Sequence, residues 1–347
     1  MPYASLAAGF LPVLLLLAGL QLMDGHKLVT RRVLFESLAA GALAAGLAWL
    51  VNRALLAGAR VDERLLARVI APLLEEGLKA AFVGWLVAGG RVGFLVDAAI
   101  CGFATGTGFG LAENLYYAGA LRDPSLPLWL ARGLGTAVMH GSTTAMFAVL
   151  TQASSERHGS IGPRELLPGF ALAVAVHAAF NLLARDTLFA AAIMIAALPL
   201  LLVGVFQRSE RATRDWLGRG LDGEVEALEQ ILEGHVAGTR IGRYLESLRT
   251  RFPSAAVADM LCLLRIHLEL SLRAKGMLLA RAAGVELPLD ESVRSNLEEL
   301  RYLERAIGAT GRLAVLPLRR TSRRHLWQIM LLSHGLGAQP APARGAP

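Results

Sequence analysis

Residues 66–85 read Leu66-Ala-Arg-Val-Ile-Ala-Pro-Leu-Leu-Glu-Glu-Gly-Leu-Lys-Ala-Ala-Phe-Val-Gly-Trp85. The stretch is long enough to cross a bilayer, which takes about 20 mostly apolar residues. Yet Glu75, Glu76 and Lys79 sit near its middle. On insertion scales each such charge costs about 2.5–3.5 kcal/mol at a helix centre, while a large aliphatic returns only about 0.5. The segment is therefore marginal alone and must face protein or a water-filled cavity. Lys79 lies four residues from Glu75 and three from Glu76, so on a helix it reaches either carboxylate. One ion pair would fit a structural role; a second, adjacent carboxylate does not. Pro72 either starts the buried helix or kinks it and frees a backbone carbonyl.

Outward from this segment, the chain is apolar for its first 206 residues. Hydrophobic residues make up 54% of the 347 and charged ones 18%, with a mean hydropathy of +0.48. That balance excludes an ordinary soluble enzyme and implies an all-α, polytopic membrane bundle. Seven stretches qualify as spans: 3–21, 33–51, 66–88, 93–117, 128–150, 166–184 and 187–206. The first has no basic region before it and no small-residue cleavage pattern after it, and reads as a span rather than a signal peptide. The net charge of +7 reflects basic loops, not a nucleic-acid partner, since no zinc-finger spacing or aromatic–basic pattern is present. Cys101 and Cys262 form no spaced motif, so no disulfide framework is implied.

One set of loops carries Lys27, Arg31, Arg32, Arg91, Arg157, Arg164, Arg208, Arg211 and Arg214, and the other the fewer residues Arg53, Arg60, Arg64, Arg122 and Arg185. The richer set is expected in the cytoplasm, which puts the N-terminus outside and the C-terminal region inside. From 207 the chain is charged and periodic, with Val225, Leu228, Ile231 and Leu232 at helix spacing and similar patterns in 257–281 and 293–307. Residues 207–334 are expected to be a cytoplasmic helical domain. Within it, the four arginines of 319–324 suit an anionic lipid surface or a solvated tail. The Ala/Pro/Gly-rich 335–347 is expected to be disordered.

Further polar residues recur inside spans. The fourth has a Gly102, Gly106, Gly110 ladder, which permits close helix packing, followed by Glu113, Asn114 and Tyr117. The fifth has His140 between Thr136 and Thr144, and the sixth has His177 and Asn181 on one face. With the expected orientation, Glu75 and Glu76 lie about 15 Å deep from the outer side. His140, His177, Glu113 and Asn181 fall in the same outer half, where the set can line one cavity. Asp24 and Asp97 fall nearer the inner side and read as interface residues.

Two carboxylates and two imidazoles around water suit hydrolysis. Burial disfavours the charged form of a carboxylate, which suits a general base for water and an acid for a leaving amine. Lys79 would hold one carboxylate charged and divide the roles. Histidine or asparagine could stabilise an oxyanion. The same set could instead hold zinc through His140, His177 and Glu76, with water in the open position. No His-Glu-x-x-His, Gly-x-Ser-x-Gly or Cys–His arrangement is present.

The ordered segments Glu75-Glu76-Gly-Leu-Lys79, Phe109-Gly-Leu-Ala-Glu113-Asn114, His140 and His177-Ala-Ala-Phe-Asn181 resemble the PrsW family of intramembrane proteases. That family is distantly related to the CAAX prenyl proteases and bacteriocin-immunity-type membrane proteins. The resemblance covers about residues 5–206 of the sequence. It implies a peptidase, of metallo or glutamic type, acting on a substrate with a transmembrane segment, such as an anti-sigma factor or a similar regulator. It implies Glu75 and Glu76 as general base or metal ligand, and Glu113 and His140 on the water or scissile carbonyl. His177 and Asn181 would stabilise the oxyanion or complete a metal site, with Lys79 and Asn114 supporting. A proton-coupled transporter is a rival reading, though no inverted repeat is visible. A noncatalytic membrane scaffold is another.

Overall fold

The computed structural model describes residues 3–24, 28–58, 61–120, 125–158, 161–183, 187–285, 287, 291–318 and 332. Among them every regular element is helical and no strand occurs. The order is α1 Tyr3–Met23, α2 Arg31–Gly58, α3 Glu63–Leu65, α4 Ala71–Ala88, α5 Leu95–Ala120, α6 Leu126–Leu130, α7 Ala137–His158, α8 Pro163–Leu182, α9 Thr187–Leu232, α10 Arg240–Leu248, α11 Ser254–Ala282, α12 Glu291–Ala306 and α13 Gly308–Val315. The chain divides into two compact units, Met1–Glu210 and Arg211–Pro347.

In the first unit α5 is the central helix, buried along most of its length and packed chiefly on α7 and α2. Its glycines explain how. A Cβ on Gly106 would collide with the His140 carbonyl oxygen, and Gly102 and Gly110 likewise face the α7 backbone. Gly108 takes the α2 side, where Gly41 answers it against the Thr105 carbonyl. The expected ladder is thus the α5–α7 seam. α7 packs in turn on α8, and α4 lies against α2, α7 and α8.

Two helices begin with a wide π turn, Leu66–Ile70 ahead of α4 and Ala131–Thr136 ahead of α7. Pro72 lies at the first positions of α4, just past the π turn. The backbone is helical without a break from Glu63 through the π turn into α4, so Pro72 sits inside a continuing helix, where its missing N–H leaves a carbonyl of the preceding turn without a helical donor. Of the two readings of Pro72, the one that frees a backbone carbonyl is the observed one, and Asn181 takes the Ala67 carbonyl.

Among the described residues three helices are long and apolar enough to cross a membrane: Arg31–Gly58, Leu95–Ala120 and Pro163–Leu182; a shorter apolar helix covers Ala7–Leu22. The expected third and fifth spans do not reach that standard. α4 carries its three charges, and α7 is rich in Ser and Thr. Outward faces are greasy, with Leu11, Leu43, Leu47, Leu50 and Trp85 all exposed. Apolar surface on that scale marks contact with lipid rather than water, and the chain is a multi-pass membrane protein. Asp24 and Asp97, expected near the inner face of the membrane, are enclosed by protein. Asp97 accepts the N–H groups of Gly93 and Phe94 at 3.2 and 3.0 Å, which satisfies donors at the start of α5.

The helix that holds the seventh expected span, α9, continues past 206 to Leu232. The second unit holds a core of its own around Met260, Leu263, Ile266, Leu270, Leu297 and Leu300. The basic run 319–324 and the tail 335–347 lie outside the described residues.

Gly106→Leu is expected to destabilise the first unit by about 3 kcal/mol or to prevent its folding, since backbone on α7 cannot give way. Gly119→Ala, where a Cβ meets open space, is expected to leave stability unchanged or slightly raised. Thermal unfolding in detergent checks both.

Candidate active site

α4 presents Glu75 and Glu76 to different surroundings, because successive residues on a helix point about 100° apart. Glu76 turns inward and its side chain is 2% exposed. Its Oε1 accepts three hydrogen bonds: from Lys79 Nζ at 2.7 Å, from His177 Nδ1 at 2.8 Å and from Thr143 Oγ1 at 3.2 Å. Glu75 is 16% exposed and lies 3.8 Å, through Oε2, from His177 Nε2. It also lines a cavity of about 330 Å³ between α2 and α5.

Lys79 is fully buried and joins two helices. Besides Glu76 it donates to His140 Nδ1 at 3.1 Å and lies 4.8 Å from the Phe109 ring centre. An ammonium has only donors, so Nδ1 of His140 is the acceptor and Nε2 carries the proton. That proton is directed at Glu113 Oε2, 3.0 Å away. His177 is the opposite case. Its Nδ1–H goes to Glu76, so Nε2 keeps the lone pair and faces Glu75. The two rings meet edge to face with centres 4.9 Å apart. Each imidazole tautomer is therefore set by a neighbour of fixed charge.

Glu75, Glu76, Lys79, Glu113, His140 and His177 thus come together from α4, α5, α7 and α8. Asn181 does not join them. Its Nδ2 donates to the Ala67 carbonyl at 2.9 Å, in the π turn before α4. A π turn leaves a carbonyl displaced from the ordinary helical ladder, and the amide takes it up. Asn114 supports rather than lines the site: it is buried, donates to the Gly9 carbonyl at 2.8 Å and accepts from Arg132 Nε at 2.9 Å.

Three residues of the assembly were not legible as site members. Arg132, whose guanidinium reaches Glu113 at 3.4 Å and stacks 3.8 Å from the Tyr117 ring, stands in the sequence only as a charge near a span end. Thr143 is one hydroxyl among several in α7. Asn52, on the cavity wall, stands beside Arg53 near the end of α2, where it reads as one more polar residue at a span end.

Glu75, His140 and His177 each offer one donor atom within 4.8 Å of the others. Two imidazoles and a carboxylate are the donor set of catalytic zinc sites, which leave a fourth position open. By composition the residues are such a set, but His140 has Nδ1 turned to the Lys79 ammonium and its Nε2–H turned to Glu113, and would have to release one of these partners to ligate a metal. Glu75, rather than the expected Glu76, falls in this group; Glu76 has Oε1 committed to three donors.

A family model described as "PrsW family intramembrane metalloprotease" matches residues 29–206. No curated protein matches the chain, and no solved structure does.

Lys79→Met leaves Glu76 buried beside His177 without its ammonium and is expected to cost about 3–5 kcal/mol of stability. Adding Glu76→Gln to Lys79→Met removes the stranded charge and is expected to recover most of that loss, though not function. Thermal unfolding of the two variants checks it; equal destabilisation of single and double variants would refute the pairing.

Proposed function

The chain belongs to the PrsW family of intramembrane metalloproteases, and on that footing we propose that it cleaves peptide bonds of membrane-protein substrates with water activated between Glu75 and His177. The observation that carries this reading is the facing of a partly open carboxylate and an imidazole lone pair, 3.8 Å apart. That gap is too long for a direct hydrogen bond, and both groups can hold one water.

Glu76 orients His177, as a buried carboxylate does for a catalytic imidazole. Its Oε1 is committed to three donors, which suits an orienting role. Glu75 or His177 Nε2 takes the proton as the water oxygen bonds to the scissile carbonyl carbon. The C–N bond then breaks and the proton passes to the leaving amine. Lys79 and the Nε2–H of His140 supply positive potential where oxyanion charge develops, inside a water-poor enclosure that strengthens it. Zinc, if held by Glu75, His140 and His177, would acidify its bound water and polarise the carbonyl. Asn181 serves the position of α4 through Ala67.

The membrane arrangement belongs to the same proposal. Seven spans with the N-terminus outside place the site in the outer half of the cell membrane, within reach of a single-span regulator such as an anti-sigma factor. The helical region from 207 to 334 then lies in the cytoplasm. No specific observation favours a transporter or a scaffold over hydrolysis.

The full chain reconstituted with a single-span substrate is expected to release a cleavage product. Glu75→Gln, Glu76→Gln and His177→Ala are each expected to lower the rate at least about 100-fold. No product from a folded wild-type chain in any lipid would sink the proposal. Exhaustive chelation reversed by zinc alone assigns the metallo route, and unchanged activity assigns the glutamic one.

A further inference from the structure

Each imidazole of the site leans on a carboxylate, and each of those carboxylates meets a cation. Glu76 is held between His177 and Lys79. Glu113 accepts the Nε2–H of His140 on Oε2 at 3.0 Å, and Arg132 Nη2 lies 3.4 Å from its other oxygen, Oε1. The proposed chemistry uses the first cation and gives Arg132 no task. Its contact with Glu113 is a charge pairing rather than an aligned hydrogen bond, since Nη2 is buried without a hydrogen-bond partner among the described residues. The guanidinium is fixed from other sides: Nε donates to Asn114, and its plane stacks on Tyr117. The π turn that carries Arg132 is itself pressed against α1, where a Cβ on Gly133 would collide with the Ala8 carbonyl oxygen.

Glu113 has freedom that Glu76 lacks. Its side chain is 28% exposed, against 2% for Glu76, and it lines the same cavity as Glu75. The last torsion of a glutamate is broad and soft. Held through Oε2 alone, the carboxylate could turn off His140 and swing into the cavity. There it would bring a negative charge beside the carbonyl oxygen on which charge develops, which opposes the reaction. Lys79 cannot prevent this, because it is committed to Glu76 and His140. Resting on the protease reading above, we infer that Arg132 is a positioning residue: it holds the Glu113 carboxylate on the His140 Nε2–H and out of the cavity, as Lys79 holds Glu76 on His177. What Glu113 needs at that place is a cation rather than the guanidinium fork, because the contact is one of charge and not of alignment.

The test uses the full chain in liposomes with a single-span substrate. Arg132→Met is expected to lower kcat about tenfold or more, with KM changed less than about twofold. Arg132→Lys keeps a cation but loses the Asn114 bond and the Tyr117 stack. It is expected to recover kcat to within about threefold of the wild type while thermal stability stays lowered. In a Glu113→Ala chain, where Arg132 has no carboxylate to act through, Arg132→Met is expected to add less than about twofold. If lysine recovers nothing, or the methionine loss is undiminished in Glu113→Ala, Arg132 only braces the π turn and the inference falls. Should Arg132→Met fail to fold, Arg132→Gln takes its place, since it keeps a donor for Asn114 without a charge.

A second readout needs no turnover. With isotope-labelled histidine in the full chain, the magnetic-resonance signal of the His140 Nε2–H reports its bond to Glu113. That signal is expected to shift or broaden in Arg132→Met and to stay near the wild-type position in Arg132→Lys. An unchanged signal in Arg132→Met means that Glu113 stays on His140 unaided, and overturns the inference. The expected shift in a folded chain whose wild type never cleaves would sink the protease reading and leave the link from Arg132 through Glu113 to His140 standing.

Discussion

A lysine and a glutamate buried together inside an apolar bundle constrain everything around them. Lys79 and Glu76 are 2.7 Å apart and almost wholly out of contact with solvent. Two such charges are costly to bury, and their attraction offsets that cost only if the remaining donors and acceptors are also met. The requirement explains why α4 is covered by α7 and α8, and why His140, His177 and Thr143 converge on this one pair. It also explains the glycines. The α5 backbone must come close enough to α7 to hold Glu113 against His140, and a Cβ at Gly106 would prevent it.

The same pair creates a division of labour between two adjacent residues of one type. Glu76 receives all its partners through one oxygen and is fixed as an anion that orients His177. Glu75, one position earlier, faces the cavity and keeps capacity for a water, a substrate or a metal. Chemistry needs both a rigid orienting charge and an accessible one, and a single turn of helix supplies them by pointing neighbours in different directions.

Support spreads beyond the contacting residues. Asn114 ties α5 to α1 through Gly9 and holds Arg132, which in turn reaches Glu113. Asn181 ties α8 to the π turn that precedes α4. Such outer contacts limit how far the site can relax, and positional tolerance at an active site is a fraction of an ångström. Both π turns adjoin helices that carry site residues, and an irregular turn there redirects the helix beyond it.

The sequence by itself determined the helical class, the membrane character of the first unit and the presence of a polar set too expensive to be incidental. These rest on additive properties: hydropathy over a span, charge cost at depth and helical spacing within one segment. It also placed Glu75, Glu76, His140 and His177 as a group, because each breaks an apolar helix on its own. What it could not determine depends on which way side chains turn once helices pack. It read Asn181 as part of the site, though Ala67 claims its amide. It did not show that Glu75, rather than Glu76, lies grouped with both imidazoles. It did not show that Asp24 and Asp97 are enclosed by protein, or that α9 continues to Leu232. Arg132 and Asn52 acquire meaning only through neighbours more than a dozen residues away. Periodicity fixes which residues share a helix face, whereas hydrogen-bond partners between helices depend on crossing angle, register and the close approach that glycine allows, and only the tertiary structure sets those.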